Sequence, residues 1–210
     1  MPKTEIIEKF NLAFCLINSQ KVKNPLFDFY TYLNKPQNDY AVLIDYEFKA
    51  SHVEHYITAI DYLKTVLRFN SDHAPSFALM GIAKSHFADL DIAIEDGIYD
   101  LQVALEIDPN FAFADNYIGI SYMRLNNLIE AKEWFRKAFQ KNPFYLEAKL
   151  NLALVNLKLK DLDRAMDYLN ELIENFPKFA PAYYHRANLK KSLDDIEGSY
   201  MDFDMYDELY

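Results

Sequence analysis

Glycine is the first thing this chain lacks, with 4 in 210 residues. Hairpins and tight turns depend on residues that tolerate positive φ, so a turn-rich all-β protein is excluded. The same scarcity removes the glycine-built sites: the sequence holds no GxGxxG fingerprint, no phosphate loop and no GxSxG elbow. Cysteine occurs once, and Cys15 in the apolar setting LAFCLIN predicts a buried thiol in a reducing compartment, with no internal disulfide. No apolar run reaches membrane-spanning length, and MPKTEIIEKF has none of the three regions of a signal peptide. A cytoplasmic location with no membrane role is therefore expected.

A positive balance is missing as well. The formal charge is -10 with a pI near 4.9, which repels a phosphate backbone, so nucleic acid and anionic membranes are not expected partners. Residues 132 to 160 depart from this, with seven basic side chains against Glu133 and Glu147. That stretch reads as a solvated basic face, with a binding patch as its alternative. Of the five histidines only His52 and His55 have ligand-like spacing. No HExxH surrounds them, so they read as surface residues and neither metal nor cofactor is expected. DLDIAIED and SLDDIE lack the glycine and closing glutamate of a calcium loop, and read as solvated helix ends. The sequence supports no enzyme active site.

What is present is apolar surface and periodicity. The chain is 51% hydrophobic and 16% aromatic, far from the signature of a disordered segment. Pro75, Pro109, Pro143 and Pro177 recur every 34 residues, the last three closing VALEIDP, KAFQKNP and ELIENFP. The window 112–145 supplies Ile118, Gly119, Tyr122, Ala131, Phe135, Ala138 and Pro143, and 146–179 supplies Leu152, Ala153, Ala165, Leu169, Leu172 and Pro177. Small residues at Gly119 and Ala131 let two antiparallel helices approach, bulky ones fill the groove between them, and the proline ends the second helix.

In its period and in those residues the chain resembles the tetratricopeptide repeat family, whose pattern sets large, small and proline positions along a helix pair. Departures from the pattern are the polar Asp115 and Lys149 at position 4, Asn156 at position 11 and Arg186 at position 7, and the larger Leu172 at position 27. The resemblance implies an all-α, right-handed superhelical solenoid of antiparallel helix pairs, with repeats at 40–73, 74–111, 112–145, 146–179 and 180–210. The first is looser, with Glu47 where a small residue is usual and Ser71 where the pattern has proline; Pro75 then falls in the first turn of the next helix. The second carries Phe77, Met80, Gly81, Gly97, Leu101 and Ala104 and is four residues too long, which predicts an extra helical turn within SHFADLDIAIED. The fifth has Tyr183, Ala187, Ser199 and Phe203 in register. Residues 1–39 are expected to form an N-terminal helical cap or degenerate repeat, with Ile6, Ile7, Phe10, Ala13, Phe14 and Ile17 on one helix face and a second helix opening at Asn24-Pro25.

The resemblance further implies a non-enzymatic scaffold or adaptor that binds a protein or peptide along the groove of the first helices. Candidate contact residues are Phe48, Ile82, Phe113, Asn116, Ile120, Asn151, Leu154, Leu157, Tyr184 and Asn188. The family's carboxylate clamp is missing, because its positions hold Asn116, Ile120, Asn151, Pro181 and His185, of which only Asn151 agrees; a chaperone-tail ligand is not expected. Two readings of the apolar lining stand side by side. The residues pack within the superhelix, or they receive an amphipathic or extended segment of a partner. A chaperone holding a hydrophobic client segment is the narrower alternative. At the end of the chain Tyr200, Phe203, Tyr206 and Tyr210 form one stripe and Met201, Met205 and Leu209 another. One stripe is free to pack inward. The other predicts either an acid-solubilised surface or a contact through Tyr200, Met201, Met205, Tyr206 and Tyr210, with a homodimer as one form of it.

Overall fold

The computed structural model describes residues 3–17, 53–87 and 91–209. Phe48, His52, Tyr210, the side chain of Cys15 and the helix expected from Pro25 lie outside the described residues. The described residues form helices joined by short turns, with no strand among them. In chain order these are α1 Lys3–Ile17, α2 Val53–Phe69, α3 Ala74–Phe87, α4 Asp91–Ile107 and α5 Ala112–Arg124. They continue with α6 Leu128–Lys141, α7 Leu146–Lys158, α8 Leu162–Asn175, α9 Ala180–Ser192 and α10 Ile196–Leu209.

The period of the sequence is the period of the helices. α5, α7 and α9 begin 34 residues apart, and so do α6, α8 and α10. The principal contacts join each helix to the next along the chain, with further contacts between α3 and α5 and between α5 and α7. Stacking is thus one-dimensional, each pair burying its apolar face on its neighbours. The direct α3–α5 and α5–α7 contacts make the first helices of successive pairs the inner layer. α1 lies against α2 and reaches α3, where the Phe10 ring meets His73 edge-on at 5.0 Å. Burial lowers the His73 pKa, against a smaller opposing pull from Asp72.

Two kinds of turn recur. Between the helices of a pair, Asn126, Lys160 and Asp194 adopt positive φ. Asn127 N–H donates to Tyr122 O at 2.8 Å and Asn126 N–H to Met123 O at 3.2 Å, which is the double carbonyl capping of a Schellman motif. The same bonds recur at Asp161 and Lys160, and at Asp195 and Asp194. Between pairs the helix stops one residue before Asp108-Pro109, Asn142-Pro143 and Phe176-Pro177, because proline cannot continue it. Phe111, Tyr145 and Phe179, each preceding a first helix, are buried.

The longer second unit has a simple origin. α4 is 17 residues long against 14 for α6, α8 and α10, so the extra length of SHFADLDIAIED is mostly an added first turn of α4. The two helices of that unit meet through glycine: a β-carbon on Gly81 would lie 2.5 Å from the carbonyl oxygen of Gly97. In the next unit a β-carbon on Gly119 would lie 2.6 Å from the Phe135 ring.

Candidate protein-binding surface

Each polar departure from the apolar pattern has a partner on a neighbouring helix. Lys141 Nζ pairs with buried Asp115 at 2.5 Å, Lys149 pairs with Glu171, and Arg186 donates to buried Asp202 through Nε at 2.8 Å and Nη2 at 2.6 Å. Lys84 pairs with Asp100 at 2.7 Å. Each ion pair links the two helices of one pair. Burial pushes the Asp100 and Asp115 carboxyls up, while Lys84 and Lys141 pull them back. For Asp202 burial also pushes upward, but the bonds from Arg186 and Lys190 outweigh it and hold the carboxyl below the usual range. Asn156 Nδ2 donates to Leu152 O at 2.6 Å, and its Oδ1 accepts from Lys132 Nζ at 2.7 Å.

The inner layer carries its own polar ladder. Asn151 Nδ2 donates to Asn116 Oδ1 at 3.0 Å, and Asn116 Nδ2 donates to Tyr145 Oη at 3.2 Å. One turn before Asn151, Glu147 is buried with its Oε2 unpartnered. Burial pushes its carboxyl up to about 7, its own backbone N–H offsetting only part of the effect. Toward the N-terminal side, the Arg124 guanidinium donates to the Ser85 carbonyl near the end of α3, where a cation also complements the helix dipole.

Placed on this frame, the candidate groove residues divide. Ile82, Phe113, Asn116 and Asn151 are buried within the array. Ile120, Leu154 and Leu157 are half-buried, and Tyr184 and Asn188 are exposed. The accessible ones share a register. Ile120, Leu154 and Asn188 occupy the ninth residue of α5, α7 and α9, and Met123, Leu157 and Lys191 the twelfth. Along the first row access increases toward the C-terminal end, from buried Ile82 through Ile120 and Leu154 to Asn188. Met123 and Lys191 join this surface although the sequence reading did not single them out; the 34-residue register from Leu157 points to both.

The C-terminal stripes divide differently from their sequence pattern. Phe203 and Tyr206 pack on Tyr184, with ring centroids at 6.0 and 5.3 Å. Tyr200 and Met201 face outward at 67% and 64% exposure. Met205 is also exposed.

A layered array of paired helices with a 34-residue register defines a tetratricopeptide-type helical solenoid. Residues 122–189 match the tetratricopeptide repeat family, within a chain whose described helices form a solenoid of that type. Among solved structures it is similar to MamA, with a TM-score of 0.61 at 19% identity over 80% of this chain and 96% of that one. It is also similar to YrrB, described as a TPR protein with an unusual peptide-binding site, with a TM-score of 0.54 at 16% identity over 76% and 80% of the two chains. Two curated proteins share sequence with it. A UDP-N-acetylglucosamine–peptide N-acetylglucosaminyltransferase of Giardia intestinalis is 30% identical over 108 residues, 51% of this chain and 7% of that protein. The uncharacterized protein ycf37 of Pyropia yezoensis is 26% identical over 108 residues, 50% of this chain and 61% of that protein. The matches therefore span less than two thirds of either relative. Arrays of this class serve in general as protein–protein interaction scaffolds. Among the described residues no group of three or more His, Cys, Asp or Glu could hold a metal ion, and no helix is long and apolar enough to cross a membrane.

Proposed function

We propose that this chain is a non-enzymatic scaffold or adaptor that holds a protein partner along the inner layer of its first helices. The observation that supports this most is the graded row Ile120, Leu154, Asn188, with Met123, Leu157 and Lys191 one turn on. It is apolar in its middle and more open toward α9. Register favours an extended or helical segment that meets equivalent positions on successive repeats, rather than a compact ligand. The buried ladder of Asn116, Asn151 and Tyr145 stiffens α5 against α7 beneath that row. A rigid platform reduces the ordering cost of association. Ile82, Phe113, Asn116 and Asn151 act in this reading as framework, and Ile120, Leu154, Leu157, Tyr184 and Asn188 as contacts.

The chaperone reading shares the surface and differs in the partner, which would be insoluble alone. Its support is the apolar character of Ile120, Leu154 and Leu157. Capture of partners from native cytosol by wild type, Leu154→Glu and Lys191→Glu tests the proposal, with helical circular dichroism as the folding control. Loss of the same captured species in both folded variants is expected. Undiminished capture by both overturns it. A captured species that precipitates when released selects the chaperone form.

A further inference from the structure

We infer that the outer face of α10 and the turn before it form a second docking surface, separate from the inner row, for a basic amphipathic segment of another protein. The apolar part falls within residues 193–201 and is open in the fold. Leu193, Ile196, Tyr200 and Met201 are all at least half exposed or close to it. Ile196 and Tyr200 lie one helical turn apart on one line, and Met201 and Met205 on the next. None of these is needed to hold α10 in place, because Ser199, Asp202, Phe203 and Tyr206 face α9. Tyrosine and methionine are also residue types enriched at contact surfaces.

Charge identifies the occupant. α10 has no basic residue, and Glu197, Asp204, Asp207 and Glu208 are exposed along it. Asp194 and Asp195 add two more exposed carboxylates in the turn, Asp195 capping the Gly198 N–H at 2.9 Å. Arg186 and Lys190 are committed to Asp202. A second copy of the chain docked face to face would bring two such acidic sets together, each on a molecule of formal charge -10. Like charges across an interface oppose association. A helix with an apolar stripe flanked by Lys or Arg satisfies both halves of the face: its stripe covers Tyr200 and Met201, and its cations meet Asp204, Asp207 and Glu208.

Two labelled peptides of about 18 residues, enough to span α10, test this. They share one leucine stripe at helical spacing and carry either Lys or Glu on its flanks. Fluorescence anisotropy with the full chain is expected to show binding of the Lys peptide, weakening as salt rises, and none of the Glu peptide. Met201→Glu and the pair Asp204→Lys, Glu208→Lys should each weaken the Lys peptide by about tenfold or more. The charge-swapped pair should also admit the Glu peptide. Asp61→Lys with Glu106→Lys makes the same change in net charge far from α10 and should leave binding intact, as should Leu154→Glu. Equal weakening by the remote pair would reduce the effect to bulk charge and overturn the proposal. So would equal binding of both peptides, or loss of binding in Leu154→Glu, which would place the peptide on the inner row. A wild-type chain that self-associates in sedimentation, becomes monomeric with Met201→Glu and ignores the Lys peptide would make the occupant a second copy, and would also overturn it.

Discussion

Gly81 and Gly97 meet across α3 and α4 so closely that a β-carbon on either would lie 2.5 Å from the other's carbonyl oxygen. That oxygen is backbone and cannot rotate aside, and a β-carbon on Gly97 would also meet the Ser85 hydroxyl oxygen and its backbone nitrogen. Gly97→Ala should therefore destabilise the chain by about 1–3 kcal/mol through overpacking, even though alanine is the better helix former. Urea unfolding followed by circular dichroism measures it. A neutral or stabilising result would mean that α3 and α4 are farther apart than described.

Arg186 and Asp202 tie α9 to α10. Arg186→Ala leaves a buried carboxylate with Lys190 as its remaining cation, and a loss of about 1.5–3 kcal/mol is expected. The pair also carries a pH signature. Because the Asp202 carboxyl is held below its unfolded value, its contribution is complete above that value, near 3.8, and disappears as pH falls through the depressed folded value. Asp202→Asn should lower stability at neutral pH and narrow the gap to wild type in acid. A gap that widens below pH ~4 would contradict the ion pair.

Glu147 behaves in the opposite sense. Its carboxyl titrates at about 7 when folded, against an ordinary value of 4.5, so the native state holds a proton that the unfolded chain has released between those values. Stability then falls as pH rises through this window. Glu147→Gln should stabilise the chain at pH ~8 by an amount on the order of 2–3 kcal/mol and have little effect near pH ~4. Thermal melts at the two pH values decide it; an effect of equal size at both would mean that Glu147 does not change protonation between them.

Lys160 holds a left-handed conformation, φ 64°, at the place where Asn126 and Asp194 stand in the neighbouring units. A lysine side chain does not offset that backbone cost with a local hydrogen bond as asparagine does. Lys160→Asn should stabilise by roughly 0.5–1 kcal/mol, read as a shift in the urea midpoint with unchanged slope. No shift would show that the turn relaxes readily.

The helix pairs were legible because their determinants are local and periodic. Small residues at Gly81, Gly97, Gly119 and Ala131 and the prolines after α4, α6 and α8 act on the backbone within a turn or two of themselves. The polar departures were visible as anomalies, but Asp115, Lys149 and Arg186 find Lys141, Glu171 and Asp202 only once the second helix folds back. The groove residues were assigned by position within a repeat. Position alone does not distinguish Leu154, half-buried, from Phe113, buried, because burial depends on which neighbours the stack supplies. The split of the α10 stripe has the same cause. Tyr200 and Phe203 share a helix face on a wheel, yet Tyr184 selects Phe203 and Tyr206 and leaves Tyr200 outside.

The scaffold reading stands or falls on whether one partner segment runs along equivalent positions of successive first helices. A photo-crosslinking residue placed singly at Ile120, Leu154 and Asn188, with exposed Asp167 on α8 as control, reads this directly when the crosslinked peptides are sequenced. The account predicts adducts from the three inner positions, mapping in order to one contiguous stretch of a single partner, and none from Asp167. Adducts from Asp167 in equal yield, or inner positions that capture unrelated sites in no order, would contradict it.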